Sequence, residues 1–209
     1  MNYQRSRPTP LKYEEPVYVA WNAVSKGQVD VKLAASSNGG TSWTTPTTVN
    51  DDSVGANQFS ATVAAGPRGA VAIGFYDMRA ACPTSGEAVL PADRGRSNTC
   101  IGLTVQAYRD HGGAVSAVGS NALVSRRLWD PYQPGQTRGG LSQLACESAS
   151  ATCTNIFVGD YFSMQVSDKN VYVLSSSTAP APRVPADGGG QIHYQQQLLT
   201  TVARTHLGL

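Results

Sequence analysis

The sequence predicts an all-β fold, and three observations carry the prediction. Charged residues make up only 14% of the chain, and the glutamates are limited to Glu14, Glu15, Glu87 and Glu147. Glu and Lys favour helices, so a chain this poor in them is not mainly helical. Glycine (21 residues) and proline (12) interrupt every window long enough for a helix, and between them recur short runs of alternating or β-branched character.

Taken in order, these runs fall into three similar groups. Residues 1–15 are polar and broken by proline, and read as an irregular N-terminal segment. The first group, about 16–50, holds Pro16–Asn22, Val29–Ala35 and a run from Thr44 to Val49. The second, about 57–125, begins with Gln58–Ala65, turns at Gly66-Pro67-Arg68-Gly69, and returns as Ala70–Tyr76. Ile101–Tyr108 and Ala114–Val124 complete it. The third, about 156–204, starts at Phe157, turns at Asp168-Lys169-Asn170 and returns as Val171–Leu174. Gln191–Tyr194 is its third strand, and Leu198–Val202 reads as a fourth. Val17-Tyr-Val, Val71-Ala-Ile and Val171-Tyr-Val occupy the same place in each group. Four-strand meanders repeating every ~40 to 50 residues are the sequence pattern of propeller blades. A two-sheet sandwich has the same turn spacing and stays open.

Composition also excludes classes. A net charge of +2 with scattered arginines gives no nucleic-acid footprint. No apolar run approaches the ~20 residues of a membrane-spanning helix. The four cysteines form two local pairs in loop-like sequence, Cys82 with Cys100 and Cys146 with Cys153. They read as two loop-stapling disulfides in an oxidising compartment, secreted or at the cell surface. Met1–Arg5 has no apolar leader, so either a signal lies further upstream or export is not what the cysteines mean. No metal-ligand spacing is present. Asp51-Asp52 are carboxylates in a turn that could suit calcium, although adjacent acids in turns are usually solvated; no other cofactor is expected.

One turn narrows the fold. In Ser36-Ser37-Asn38-Gly39-Gly40-Thr41-Ser42-Trp43, Asn38 can accept bonds from following N–H groups and the glycines can take positive φ. Trp43 then covers the turn with its apolar face. The motif resembles the Asp-box of sialidase-like (BNR-repeat) β-propellers, Ser-x-Asp-x-Gly-x-x-Trp, with Asn38 in place of Asp. Tyr108–Gly113 is a degraded copy without the tryptophan. Phe75-Tyr76-Asp77-Met78-Arg79 and Phe157-Val158-Gly159-Asp160-Tyr161 resemble further passages of the same proteins, in the same order.

The resemblance implies about three four-stranded blades of a six-bladed type, too few to close a ring, so that the chain is expected to be the C-terminal half of a larger propeller or to pair with a second copy. It implies a structural Asp-box (Ser36, Asn38, Gly40, Trp43) on one face and a ligand pocket on the opposite, loop-rich face. Candidate binding residues there are Gln58, Tyr76, Asp77 and Arg79, with Arg79 able to grip a carboxylate through two hydrogen bonds. The same residues also suit a structural role, tying strand ends to loops. Tyr161 and Asp160 are the candidate nucleophile and acid/base of a sialidase, but no glutamate is placed to activate Tyr161 and the Arg-Ile-Pro motif is absent. Two functions are therefore carried forward. One is a scaffold that binds glycans or proteins without turnover; the other is an exo-sialidase cleaving terminal sugars.

Overall fold

The computed structural model describes residues 15–86, 89–132, 158–159, 162–178 and 195–209, with backbone alone at 137–138 and 141–142. Among them the chain is all-β, in three antiparallel sheets, none closed on itself. The first sheet has the order β1 (Val17–Ser25), β2 (Gln28–Ser36), β3 (Thr47–Thr48). The second is a four-stranded meander of β4 (Gln58–Gly66), β5 (Ala70–Asp77), β6 (Gly102–Asp110) and β7 (Val115–Leu123). A two-stranded ribbon, β8 (Thr137–Arg138) and β9 (Leu141–Ser142), follows. The third sheet is β10 (Ser163–Val166), β11 (Asn170–Ser177) and β12 (Gln196–Ala203).

The sheets stack face to face with the second in the middle. Its central strand β5 is buried along its whole length, and its residues alternate between two cores as strand geometry requires. Val71, Ile73 and Phe75 pack with Val31 and Leu33 of the first sheet. Ala70 and Ala72 pack with Val166, Val171 and Val173 of the third. The second face is built from small residues because the third sheet comes close. A Cβ on Gly74 would stand 2.5 Å from Met164 Cε, and one on Gly66 would stand 2.5 Å from Val166 Cγ1.

The groups expected from sequence differ from the observed strands in two places. The run Thr44–Val49 contributes only the two residues of β3: Thr44 N and Val49 N still donate to Ala35 O and Val31 O, but the return bonds from β2 go to side chains (Val31 N to Asn50 Oδ1, 2.9 Å; Ala35 N to Thr44 Oγ1, 3.0 Å). Leu198–Val202 is a third strand rather than a fourth, since β12 pairs directly with β11 (Leu174 opposite Leu199). Gln191–Tyr194, expected in that position, lies outside the described residues, as does Phe157.

The stack has a turn end and a loop end. At the turn end, Ser36 Oγ accepts from Gly40 N (2.9 Å), Asn38 Oδ1 accepts from Ser42 N (2.9 Å), and Trp43 Nε1 donates to Gly40 O (3.0 Å). Gly39 and Gly40 both have positive φ, 65° and 90°. This turn abuts its counterpart in the second sheet, where Asp110 Oδ1 accepts from Gly113 N at 2.7 Å. Gly113 has φ +91°, and a Cβ there would lie 2.2 Å from Ser37 Cβ and 2.6 Å from its Cα. Gly113→Ala is therefore expected to cost about 2–3 kcal/mol in a urea melt, combining left-handed strain with a backbone clash. Gly112→Ala, with φ +77° and nothing within 4 Å, is the control and should cost only the strain.

Candidate functional site

At the loop end, the chain between β3 and β4 meets the ends of β4, β5 and β7 in one polar network. Asp77 ends β5 with its side chain buried. Its Oδ1 accepts from Gln58 Nε2 (3.3 Å) and Arg79 N (3.0 Å), and its Oδ2 from Thr104 Oγ1 (2.9 Å). Arg79 spreads its guanidinium over three acceptors: Nε is 2.7 Å from Asp77 Oδ2, Nη1 meets Asp51 Oδ1, and Nη2 is 2.6 Å from Asn121 Oδ1. Asn121 and Asp51 in turn each donate a backbone N–H to the other's side-chain oxygen, and Asn121 Nδ2 donates to Val49 O at 3.0 Å. Burial pushes the Asp51 carboxyl up, but the Arg79 hydrogen bond, the Asn121 N–H and the Arg79 charge together hold its pKa below the usual carboxylate value.

This arrangement answers the two roles that the sequence left for Asp77 and Arg79 with a geometry. Both are engaged with protein partners that bind the first sheet's exit to the second sheet. Gln58, expected at the rim of a pocket, is instead fully buried, because its amide turns inward to Asp77. Asp51 and Asp52 are likewise engaged: Asp52 accepts from Asn50 Nδ2 (3.0 Å) and Ala56 N (3.2 Å). Among the described residues, no group of three or more His, Cys, Asp or Glu is placed to hold a metal ion.

Tyr76 points to the opposite face of β5 and ties the second sheet to the third. Its hydroxyl accepts from Ser176 N at 2.7 Å and lies 3.3 Å from Ser176 O, and its ring packs against Phe59 and Phe162. Burial raises its pKa in spite of the Ser176 bonds. Tyr161 and Asp160 lie outside the described residues, as do Cys146 and Cys153.

The loop that follows Arg79 is stapled by the Cys82–Cys100 disulfide, one of the two pairs expected. Asp93 within this loop and Asp130 in the segment after β7 are both buried. Asp130 accepts from Leu90 N (3.0 Å) and Tyr132 N (2.9 Å), while Arg96 Nη1 reaches Asp93 Oδ1 at 2.7 Å. Burial, opposed by those two N–H groups and assisted by the Asp93 charge, holds the Asp130 carboxyl above its usual pKa.

Beside this loop, a cleft of about 620 Å³ opens between the second and third sheets. One wall is the start of β6 and the segment Val124–Trp129, which Ile101 holds by a bridge to Trp129. The other is the end of β11 and the start of β12. Arg126 and Arg127 bring two exposed guanidiniums to it, and Ser125, Ser175, Ser176, Thr200 and Thr201 bring hydroxyls. No carboxylate lines it, and neither arginine forms an ion pair among the described residues. Such a lining can hold an anion or a polyhydroxylated molecule through charge-assisted and hydroxyl hydrogen bonds.

The sequence reading missed Arg126 and Arg127, although an adjacent basic pair at the end of a strand and before a long loop is a visible signal. It also missed Asn121 and Asp130, which no local spacing marks. No family model, no curated protein and no solved structure matches the chain.

Proposed function

We propose that this chain is a non-catalytic glycan-binding scaffold of the secreted or cell-surface space, built as three consecutive blades of a sialidase-like propeller. Its ligand, an anionic or polyhydroxylated sugar, sits at the loop end in the cleft between the second and third sheets. The observation that carries the proposal is the cleft lining among the described residues: two arginines outside any ion pair, several hydroxyls and no carboxylate. The stack of three sheets, the Asp-box-like turn at one end and the stapled loop at the other support the blade reading.

Support for a scaffold over an enzyme comes from the carboxylates. A sialidase needs an aspartate as acid/base and a glutamate to activate its tyrosine nucleophile. Among the described residues of the loop end, Asp51 and Asp77 are held by Arg79, and Asp130 has its oxygens on backbone N–H groups.

A glycan array read beside hydrolysis of a fluorogenic sialoside tests the reading. Binding of acidic glycans without turnover is the expected outcome. Turnover that Tyr161→Phe or Asp160→Asn abolishes would replace the scaffold with the hydrolase.

A further inference from the structure

The three sheets pair equivalent strands in the same register, and this shows which surfaces the described residues leave uncovered. Strand pairing sets Ala20 opposite Leu33, Gly74 opposite Val105 and Leu174 opposite Leu199. On that register β1, β5 and β11 are equivalent, as are β2, β6 and β12. Each sheet therefore has a leading face, carrying the Val-x-Val/Ile pair of β1, β5 or β11, and a trailing face, carrying Leu33, Val105 or Leu199.

Inside the chain, trailing faces always meet leading faces. Leu33 of the first sheet packs with Val71 and Ile73 of the second, and Val105 of the second with Val171 and Val173 of the third. All of these residues are at most 1% exposed. The end sheets break the pattern. On the leading face of the first sheet, Val17 and Val19 are 38% and 42% exposed; on the trailing face of the third, Leu199 is 65% exposed. Among the described residues, the stack ends in two partly apolar surfaces of the kinds that twice bury each other within the chain.

We propose that these two surfaces bind each other between copies of the chain, the third sheet of one copy covering the first sheet of the next. The contact continues an interface that the fold already makes twice, and it is heterologous, joining unlike patches. It covers apolar surface that would otherwise favour non-specific association. It does not depend on the ligand proposed above; Leu199 also lines the cleft, so Val19→Asp is the variant in which glycan binding and self-association are read separately.

Sedimentation velocity at about micromolar concentration tests it. The full chain is expected to run at no less than twice its 22.0 kDa mass. Val19→Asp and Leu199→Asp are each expected to run as monomers, because each spoils one patch in every contact. Mixed in equal amounts they are expected to associate again, since Val19→Asp retains the trailing face and Leu199→Asp the leading one. Should either variant lose cooperative unfolding, Val19→Ser and Leu199→Ser carry the same test. A monomeric parent chain would overturn the proposal. So would folded variants that still associate alone, or a mixture that stays monomeric.

Discussion

Arg79→Ala is expected to lower stability by about 3 kcal/mol, the low end for removing one partner of a buried ion pair. Asp77 is 1% exposed, and the Arg79 guanidinium is its cationic partner. Without it, a buried carboxylate keeps only the neutral donors of Gln58 and Thr104 and the Arg79 backbone N–H. The Arg79 side chain is itself 24% exposed, which is why the low end applies. For a chain of this length the loss corresponds to a fall in Tm of about 6–12 °C. Arg79→Lys should recover only part of it, because an ammonium cannot face Asp77, Asp51 and Asn121 at once. The effect has a pH signature. Asp51 titrates below its ordinary 3.8 in the folded chain, so its contribution is present above about pH 4 and is lost as the pH falls below that value. The gap between parent and variant, followed by denaturant melts from pH 7 to pH 3, should therefore narrow at the acid end.

Removing the Cys82–Cys100 disulfide is the second large effect. The two cysteines are 18 residues apart, and opening a loop of that size costs about 3 kcal/mol on the chain-entropy account. The Cys82→Ala/Cys100→Ala pair of changes is the appropriate variant, because it removes this one crosslink alone. Its loop also holds Val89 and Leu128 over the two cysteines and leads to the bridge between Ile101 and Trp129. A thermal melt should show the loss of stability, and amide exchange should show the loop 78–100 opening before the sheets.

The fold class was legible because it rests on local facts. The turn Gly66–Gly69 between two apolar runs leaves β4 and β5 no other pairing, and the alternation in Ala70–Tyr76 already marks a strand covered on both faces. The short β3 was not legible, because Thr44 reads as a strand former by type while its side chain, like that of Asn50, takes an N–H of β2 from the ladder. The site was legible only in part. Asp77 and Arg79 stood out by their spacing, but what they touch depends on Asp51 and Asn121, 70 residues apart in the chain and joined backbone to side chain in both directions. The cleft is a product of packing: its walls come from the starts of β6 and β12, the end of β11 and the segment after β7. No window of sequence contains it.

The central claim is that this cleft binds an acidic sugar through Arg126 and Arg127. Isothermal calorimetry of the full chain with a sialylated oligosaccharide and with its neutral, desialylated counterpart tests it most directly. The account predicts binding that favours the acidic sugar and weakens about tenfold in Arg126→Ala and again in Arg127→Ala, the loss of one charge-assisted hydrogen bond each. Equal affinity for both sugars, or acidic-sugar binding that survives both substitutions, would contradict it.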